Sequence, residues 1–143
     1  MNKQGEVDLI AKTIVGEARS EIWEGKLAIA NVILNRNEHK GWFGSSIAKI
    51  INKPSQFSCW NANDPNRKIS CNPEKYVNND VWKECKVAAR LVYNNEVVDN
   101  TMGATHYLTI SAYNRIQKAY TKHWVFNLVP TITIGNHIFF REK

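Results

Sequence analysis

An α+β domain, mostly helical with a small β element at its C-terminal end, is the fold this sequence predicts. Three observations predict it. Apolar residues recur at steps of three and four through most of the chain, the period of a half-buried helix. Runs rich in β-branched and aromatic residues gather near the C-terminus around a Gly-Asn pair, the signature of short strands joined by a tight turn. At 143 residues the chain is the length of one domain, residues 1–143, and a domain of about 150 residues buries roughly 68–70% of its unfolded surface, so a core is available without staples.

The elements follow in order. Val7, Ile10, Ala11, Ile14, Val15 and Ala18 form the stripe of a first helix. A second is predicted over Trp23–Asn35, "WEGKLAIANVILN", apolar nearly all round as in a helix enclosed by its domain. Gly25 weakens its start only slightly. A short third helix, Ser46–Ile51, is ended by Pro54. Residues Ser55–Asn79, rich in Asn, Pro, Ser and Asp, read as a long irregular loop with Trp60 available for a groove wall. Asn79 is the predicted N-cap of a fourth helix, with Val81, Trp82, Cys85, Ala88, Ala89 and Val92 on its buried stripe. Strands are predicted in "THYLTI" and on both sides of Gly135-Asn136 in "TITIGNHIFF". Alternation on the last strand sets His137 and Phe139 on one side, Ile138 and Phe140 on the other.

Nineteen Lys and Arg against thirteen Asp and Glu give a net charge of +6. Such a charge serves solubility or attraction to an anionic polymer. The basic residues are scattered, without a block, so no nucleic-acid partner is expected. No apolar run approaches the ~20 residues of a membrane span, so no stable membrane insertion is expected. The N-terminal "MNKQGEVDLIAK" lacks the apolar core of an export signal, which predicts a protein folded in a cytoplasm, most simply as a monomer. Cys59, Cys71 and Cys85 form no CxxC. Free thiols are the expectation, with a Cys59–Cys71 bridge as the alternative. The four histidines are dispersed and no HExxH occurs, so no metal or other cofactor is expected.

One residue breaks the amphipathic logic. Glu17, in "IVGEARSE", shares a helix face with Ile10 and Ile14, and so is aimed at the packed side. It also falls in the helix's last turn, where the dipole disfavours a carboxylate. Both effects would raise its pKa, and a neutral Glu can donate a proton. The competing reading is a salt bridge to Lys12 or Arg19. Glu21, four residues on, is either a like charge that raises the pKa of Glu17 or the start of the next helix. Spacing alone leaves these open.

The stretches "IVGEARSE", "ANVILNR", "QFSCW", "TMGATHY" and "IGNHIFFR" occur in that order, and together, over about residues 7–141, they resemble the catalytic domain of the SleB/CwlJ-type cell-wall hydrolases, a domain also found in phage lysis enzymes. The resemblance implies a small fold like that of goose-type lysozymes and lytic transglycosylases. It implies cleavage of peptidoglycan glycan strands between N-acetylmuramic acid and N-acetylglucosamine, with Glu17 as the catalytic acid. It further implies that Gln56, Phe57 and Ser58 line a sugar cleft and that Tyr107 stands near the reacting centre, with a loop glutamine satisfying backbone groups and a packed, buried Tyr107 as the competing readings. His106, His137 and Glu21 are further candidates for substrate contact, although His137 reads more readily as a structural, hydrogen-bonded histidine than as a general base. Arg36 reads as a helix-end cation, with the resemblance leaving a cleft role for Asn35 or Arg36 open.

A lone motif acid suits a lytic transglycosylase, with a hydrolytic muramidase using the same Glu17 as the alternative. An N-acetylmuramoyl-L-alanine amidase and a non-catalytic glycan-binding module rank below both. The chain departs from the family pattern at Ser20, where Gly is usual, and between Tyr107 and Ile134. The absence of an export signal and of a preceding wall-binding module predicts synthesis in a host bacterial cytoplasm and action on the wall after release, as for a phage endolysin.

Overall fold

The computed structural model describes residues 1–39, 41–54 and 56–143. Helix α1 spans Lys3–Ala18, capped by Asn2, whose side chain accepts from the Gly5 N–H at 2.8 Å. All six positions of the predicted stripe are buried, joined by Thr13. Helix α2, Trp23–Glu38, runs further than predicted because the charged Arg36 is itself buried and extends the packed face. Helix α3, Ile47–Asn52, starts at Ser46, whose hydroxyl accepts from the Lys49 N–H.

The expected long loop is largely ordered. Its first residue, Ser55, lies outside the described residues. Beyond it come a 3₁₀ turn, Ser58–Trp60, then α4, Asn66–Cys71, and α5, Pro73–Tyr76. Local polar chemistry builds these turns, since the Asp64 carboxylate accepts from the Asn66 N–H at 2.8 Å and Pro73 opens α5. Buried Phe57, Cys59 and Ser70 pin them to the core. Trp60 is not a groove wall: its indole N–H donates to the Thr13 hydroxyl at 2.9 Å and its ring packs on the core. Helix α6, Asn79–Tyr93, is capped by Asn78 rather than Asn79, because the Asn78 side chain accepts from the Asp80 N–H.

Strand β1, His106–Thr109, leads directly into α7, Ile110–Ala119, a helix beyond those the sequence predicts. Thr109 switches one to the other, its hydroxyl accepting from the Ala112 N–H as an N-cap. A 3₁₀ turn, Trp124–Asn127, precedes β2, Val129–Ile134, and β3, His137–Arg141. The sheet order is β1-β3-β2, with both pairings antiparallel and Tyr107 opposite Phe139. Its two faces bury different things. Phe139, Ile134 and Tyr107 join the helical core, whereas Phe140, Ile138 and Leu108 pack with Ile116 and Val125. Among the described residues no helix is long and apolar enough to cross a membrane. The three cysteines are free, with Cys59 and Cys85 buried and Cys71 exposed.

The core of α1, α2 and α6 brings the end of α1 against the 3₁₀ turn and α4, and Gly16 makes that approach possible. A Cβ on Gly16 would lie 2.4 Å from the Cys59 Cβ and 2.4 Å from the Ser70 Oγ, distances that force these atoms apart. A Gly→Ala change inside a helix gains about 1 kcal/mol of propensity, but overpacking a tight site costs about 1–3 kcal/mol. Gly16→Ala should therefore lower Tm in a thermal melt; a Tm at or above that of the parent would show that the approach has slack.

Candidate active site

Glu17 stands half-buried in the last turn of α1. Its Oε1 accepts a short hydrogen bond from the Tyr107 hydroxyl on β1, and its Oε2 accepts from the Cys59 N–H at 3.2 Å. Neither salt-bridge partner suggested by spacing is used. Lys12 pairs with Asp8 at 3.1 Å, and Arg19 donates to the Val15 carbonyl at 3.0 Å. Burial, and then the neighbouring Glu17, push the Tyr107 hydroxyl well above its ordinary pKa, so it remains a protonated donor at any working pH. The Cys59 thiol is raised by the same two causes in the same order and stays inert.

These groups open into a cleft of about 590 Å³. Of the residues predicted for the site, Gln56, Ser58, His106, Tyr107 and His137 line it together with Glu17. Two do not. Phe57 is 1% exposed and lies under the cleft, its ring 4.9 Å from the Arg36 guanidinium; a side chain already covered by packing offers no face to a ligand. Glu21 lies outside the cleft, in an adjoining recess of about 210 Å³ that Gly16, Glu17 and Asn66 also border, and both its oxygens are occupied. They accept from the Asn136 backbone N–H at 2.9 Å and the Asn136 side chain at 3.0 Å. Burial would raise the Glu21 pKa, yet the two Asn136 bonds and the nearby His137 outweigh it and hold the carboxyl below its usual value. Glu21 is thus a clasp between the α1–α2 turn and the β2–β3 turn.

His137 is buried beside Tyr107, with its ring edge-on at 5.4 Å. Its Nδ1 lies 3.4 Å from Glu21 Oε1, within ion-pair range but without hydrogen-bond geometry. Its main contacts are therefore structural, although it touches the cleft.

Asn66, Thr109 and Trp124, which were not predicted as site residues, also line the cleft, as does Arg36, whose cleft role the sequence left open. Arg36 carried the strongest available signal, a cation in the last turn of a helix apolar on every side. It is 4% exposed, donates from Nε to the Thr105 carbonyl at 2.7 Å and from Nη1 to Gln56 at 3.4 Å, and its guanidinium also lies 5.2 Å from the Phe43 ring centroid. Burial lowers its pKa while Tyr107 and Glu17 oppose the change. Next to it, Asn35 donates to Asp99 at 2.9 Å and to the Ala104 carbonyl at 2.9 Å. Asp99 in turn accepts from Thr101 and from the Gly103 N–H. The end of α2 thus clamps the loop that delivers Tyr107. Burial would raise the Asp99 carboxyl, but these donors keep it below its ordinary value.

A half-buried carboxylate at the end of the first helix, beside a cleft closed by a small sheet, defines the site. The comparisons with known proteins supply the class. A family described as cell wall hydrolase matches residues 20–140, and the chain belongs to it. Glu17 lies just before the matched segment.

Two curated relatives are spore cortex-lytic enzymes. The one from Oceanobacillus iheyensis is 38% identical over 55 residues, covering 38% of this chain and 20% of the relative. The one from Bacillus subtilis is 43% identical over 53 residues, covering 37% and 17%. The matched stretch therefore spans a fifth or less of either relative. Two solved structures share the fold. The catalytic domain of the germination-specific lytic transglycosylase SleB from Bacillus anthracis has a TM-score of 0.63 at 23% identity, covering 98% of this chain and 97% of that one. The catalytic domain of SleB from Bacillus cereus has a TM-score of 0.64 at 24% identity, covering 99% and 93%.

The site also sets a pH dependence. Burial, then the charges of Arg36 and His39, push His106 down to about 4, against about 6.5 for an unfolded histidine. Between those values the unfolded chain binds the extra proton, so this contribution is complete above about 6.5 and lost as pH falls toward 4. Asp99 and Glu21, held below their usual values, give up their contributions only at lower pH, from about 4 downward. His106→Gln should flatten the decline of Tm between pH 6.5 and 4 relative to the parent. An unchanged decline would assign it to other groups.

Proposed function

We propose that this cell wall hydrolase cleaves the glycan strand of peptidoglycan at the bond between N-acetylmuramic acid and N-acetylglucosamine, as a lytic transglycosylase with Glu17 as acid and then base. One observation carries the reading: among the described residues that line the cleft, Glu17 is the only acid. Glycosidases that hydrolyse with two carboxylates need the second about 5–9.5 Å from the first, as nucleophile or as base for water. The reading needs only one.

In its acid form Glu17 gives a proton to the glycosidic oxygen as the bond from C1 of muramic acid breaks. The resulting carboxylate takes the proton of the muramic acid C6 hydroxyl, and O6 bonds to C1. The products are a 1,6-anhydro sugar and a new non-reducing end, with no water consumed. Tyr107 and the Cys59 N–H hold the carboxyl in one orientation throughout, and an ionised carboxylate has lone pairs beyond the two they use. The buried Arg36 cation steadies the carboxylate once its proton has gone. Gln56, Ser58, Asn66 and Thr109 supply amide and hydroxyl groups suited to sugar hydroxyls and acetamido groups.

Digestion of purified peptidoglycan by the parent and by Glu17→Gln, with products weighed by mass spectrometry, tests this. Anhydro-muropeptides from the parent, and a drop of at least about a hundredfold in the variant, as general acid catalysis contributes, are expected. Products one water heavier would make the enzyme a muramidase. Released stem peptides, or equal activity of the two proteins, would remove Glu17 from the chemistry.

A further inference from the structure

The turn that follows α7 exposes more aromatic surface than folding requires. Within seven residues lie Tyr120, 55% exposed, Trp124, 49% exposed, and Phe126, 38% exposed. Their neighbour Val125 is 2% exposed and packs with Ile116 and Phe140. Val125 thus anchors the 3₁₀ turn, and the residues on either side of it are left facing outward. The rings are grouped, not scattered. His123 stands at the centre, with ring centroids 5.0 Å from Trp124, 6.0 Å from Tyr120 and 6.1 Å from Phe126. Its own ring is fixed, because Nδ1 accepts from the Val125 N–H at 3.2 Å. Contiguous exposed apolar patches on soluble domains mark binding surfaces more often than chance.

The group is also continuous with the cleft. Trp124 lines it and lies 5.4 Å from the ring of His106, which lines it too. Ring contacts therefore run from the cleft, through His106 and Trp124, out to Tyr120 and Phe126. β-Linked pyranose rings present flat C–H faces above and below their equatorial hydroxyls, and aromatic side chains offer matching faces.

We propose that Tyr120, His123, Trp124 and Phe126 form an accessory glycan surface that grips the strand beyond the sugars in the cleft, so that the enzyme binds long strands more tightly than short fragments. This rests on the reading of the cleft as a glycan site. The surface supplies binding and no chemistry. Its ligand is an uncut, β-linked amino-sugar strand, several sugars longer than the cleft accommodates.

The test uses the full chain carrying Glu17→Gln, so that bound glycan is not consumed, with and without the added pair Tyr120→Ala and Phe126→Ala. Isothermal titration with a peptide-free tetrasaccharide and with long peptide-free strands gives four dissociation constants. The expected result is tighter binding of long strands by the Glu17→Gln protein, and a several-fold loss of that advantage in the triple variant with tetrasaccharide binding retained. Equal affinity for both lengths, no loss in the triple variant, or an equal loss for both lengths would overturn the proposal. So would single-stranded DNA that binds with the same dependence on the two rings, since the surface would then be a base-stacking platform. Product analysis of the parent separates the failures. Glycan cleavage without length preference removes only the accessory surface, whereas release of stem peptides removes both readings.

Discussion

The hydrogen bond from Tyr107 on β1 to Glu17 at the end of α1 is the contact on which the rest of the structure converges. A carboxylate at a helix C-terminus works against the helix dipole, and half-burial adds a desolvation cost. The phenol and the Cys59 N–H each satisfy one of its oxygens, and hydrogen bonds to a charged group contribute about 1.5–3 kcal/mol. The bond forms only if the sheet and the helical core meet in one register. Three fastenings set it: Arg36 on the Thr105 carbonyl, Asn35 on the Asp99–Ala104 loop, and Glu21 on Asn136. Each ties the helical part to the sheet, so the architecture around the cleft serves to place one carboxyl group.

The charge of the chain has a local and a long-range part. Locally, Arg36 is enclosed by Phe43 and Phe57 and screened little by solvent, so its field acts on Glu17 and Tyr107. The net charge of the whole chain, Arg36 included, is +6. Under the proposed reading, that charge attracts the carboxylates of a peptidoglycan substrate over a distance near the Debye length, roughly 8–10 Å at moderate salt.

Helical phase made the core legible in the sequence. The first stripe and the stripe of α6 needed only period and polarity, and both lie on the buried faces, with Val81 alone only partly buried. The strands were legible from β-branched density and the Gly-Asn turn, and the alternation that separated Phe139 from Phe140 is the division between the two apolar clusters. Segments held by polar chemistry were not legible. The turns from Ser58 to Tyr76 depend on Asp64, Pro73 and the close approach at Gly16, and α7 depends on a Thr109 cap placed directly after a strand. In the site, Glu17 stood out because it sat on the wrong face for a surface acid. Glu21 and Phe57 could not be sorted by motif, because their roles depend on Asn136 and Arg36, partners distant in the sequence. Arg36 stayed undecided for a related reason: a cation at a helix end has an adequate local explanation.

The central claim is that the carboxyl group held by Tyr107 and the Cys59 N–H faces the bond that breaks. The most direct measurement is a crystal structure of Glu17→Gln with a peptidoglycan glycan strand bound across the cleft. The account predicts the side chain of residue 17 within hydrogen-bond reach, about 2.6–3.2 Å, of the oxygen joining muramic acid to glucosamine, with Tyr107 still on its other side. A strand seated in the cleft with that oxygen beyond reach of residue 17, and near another acid or a bound ion instead, would contradict it.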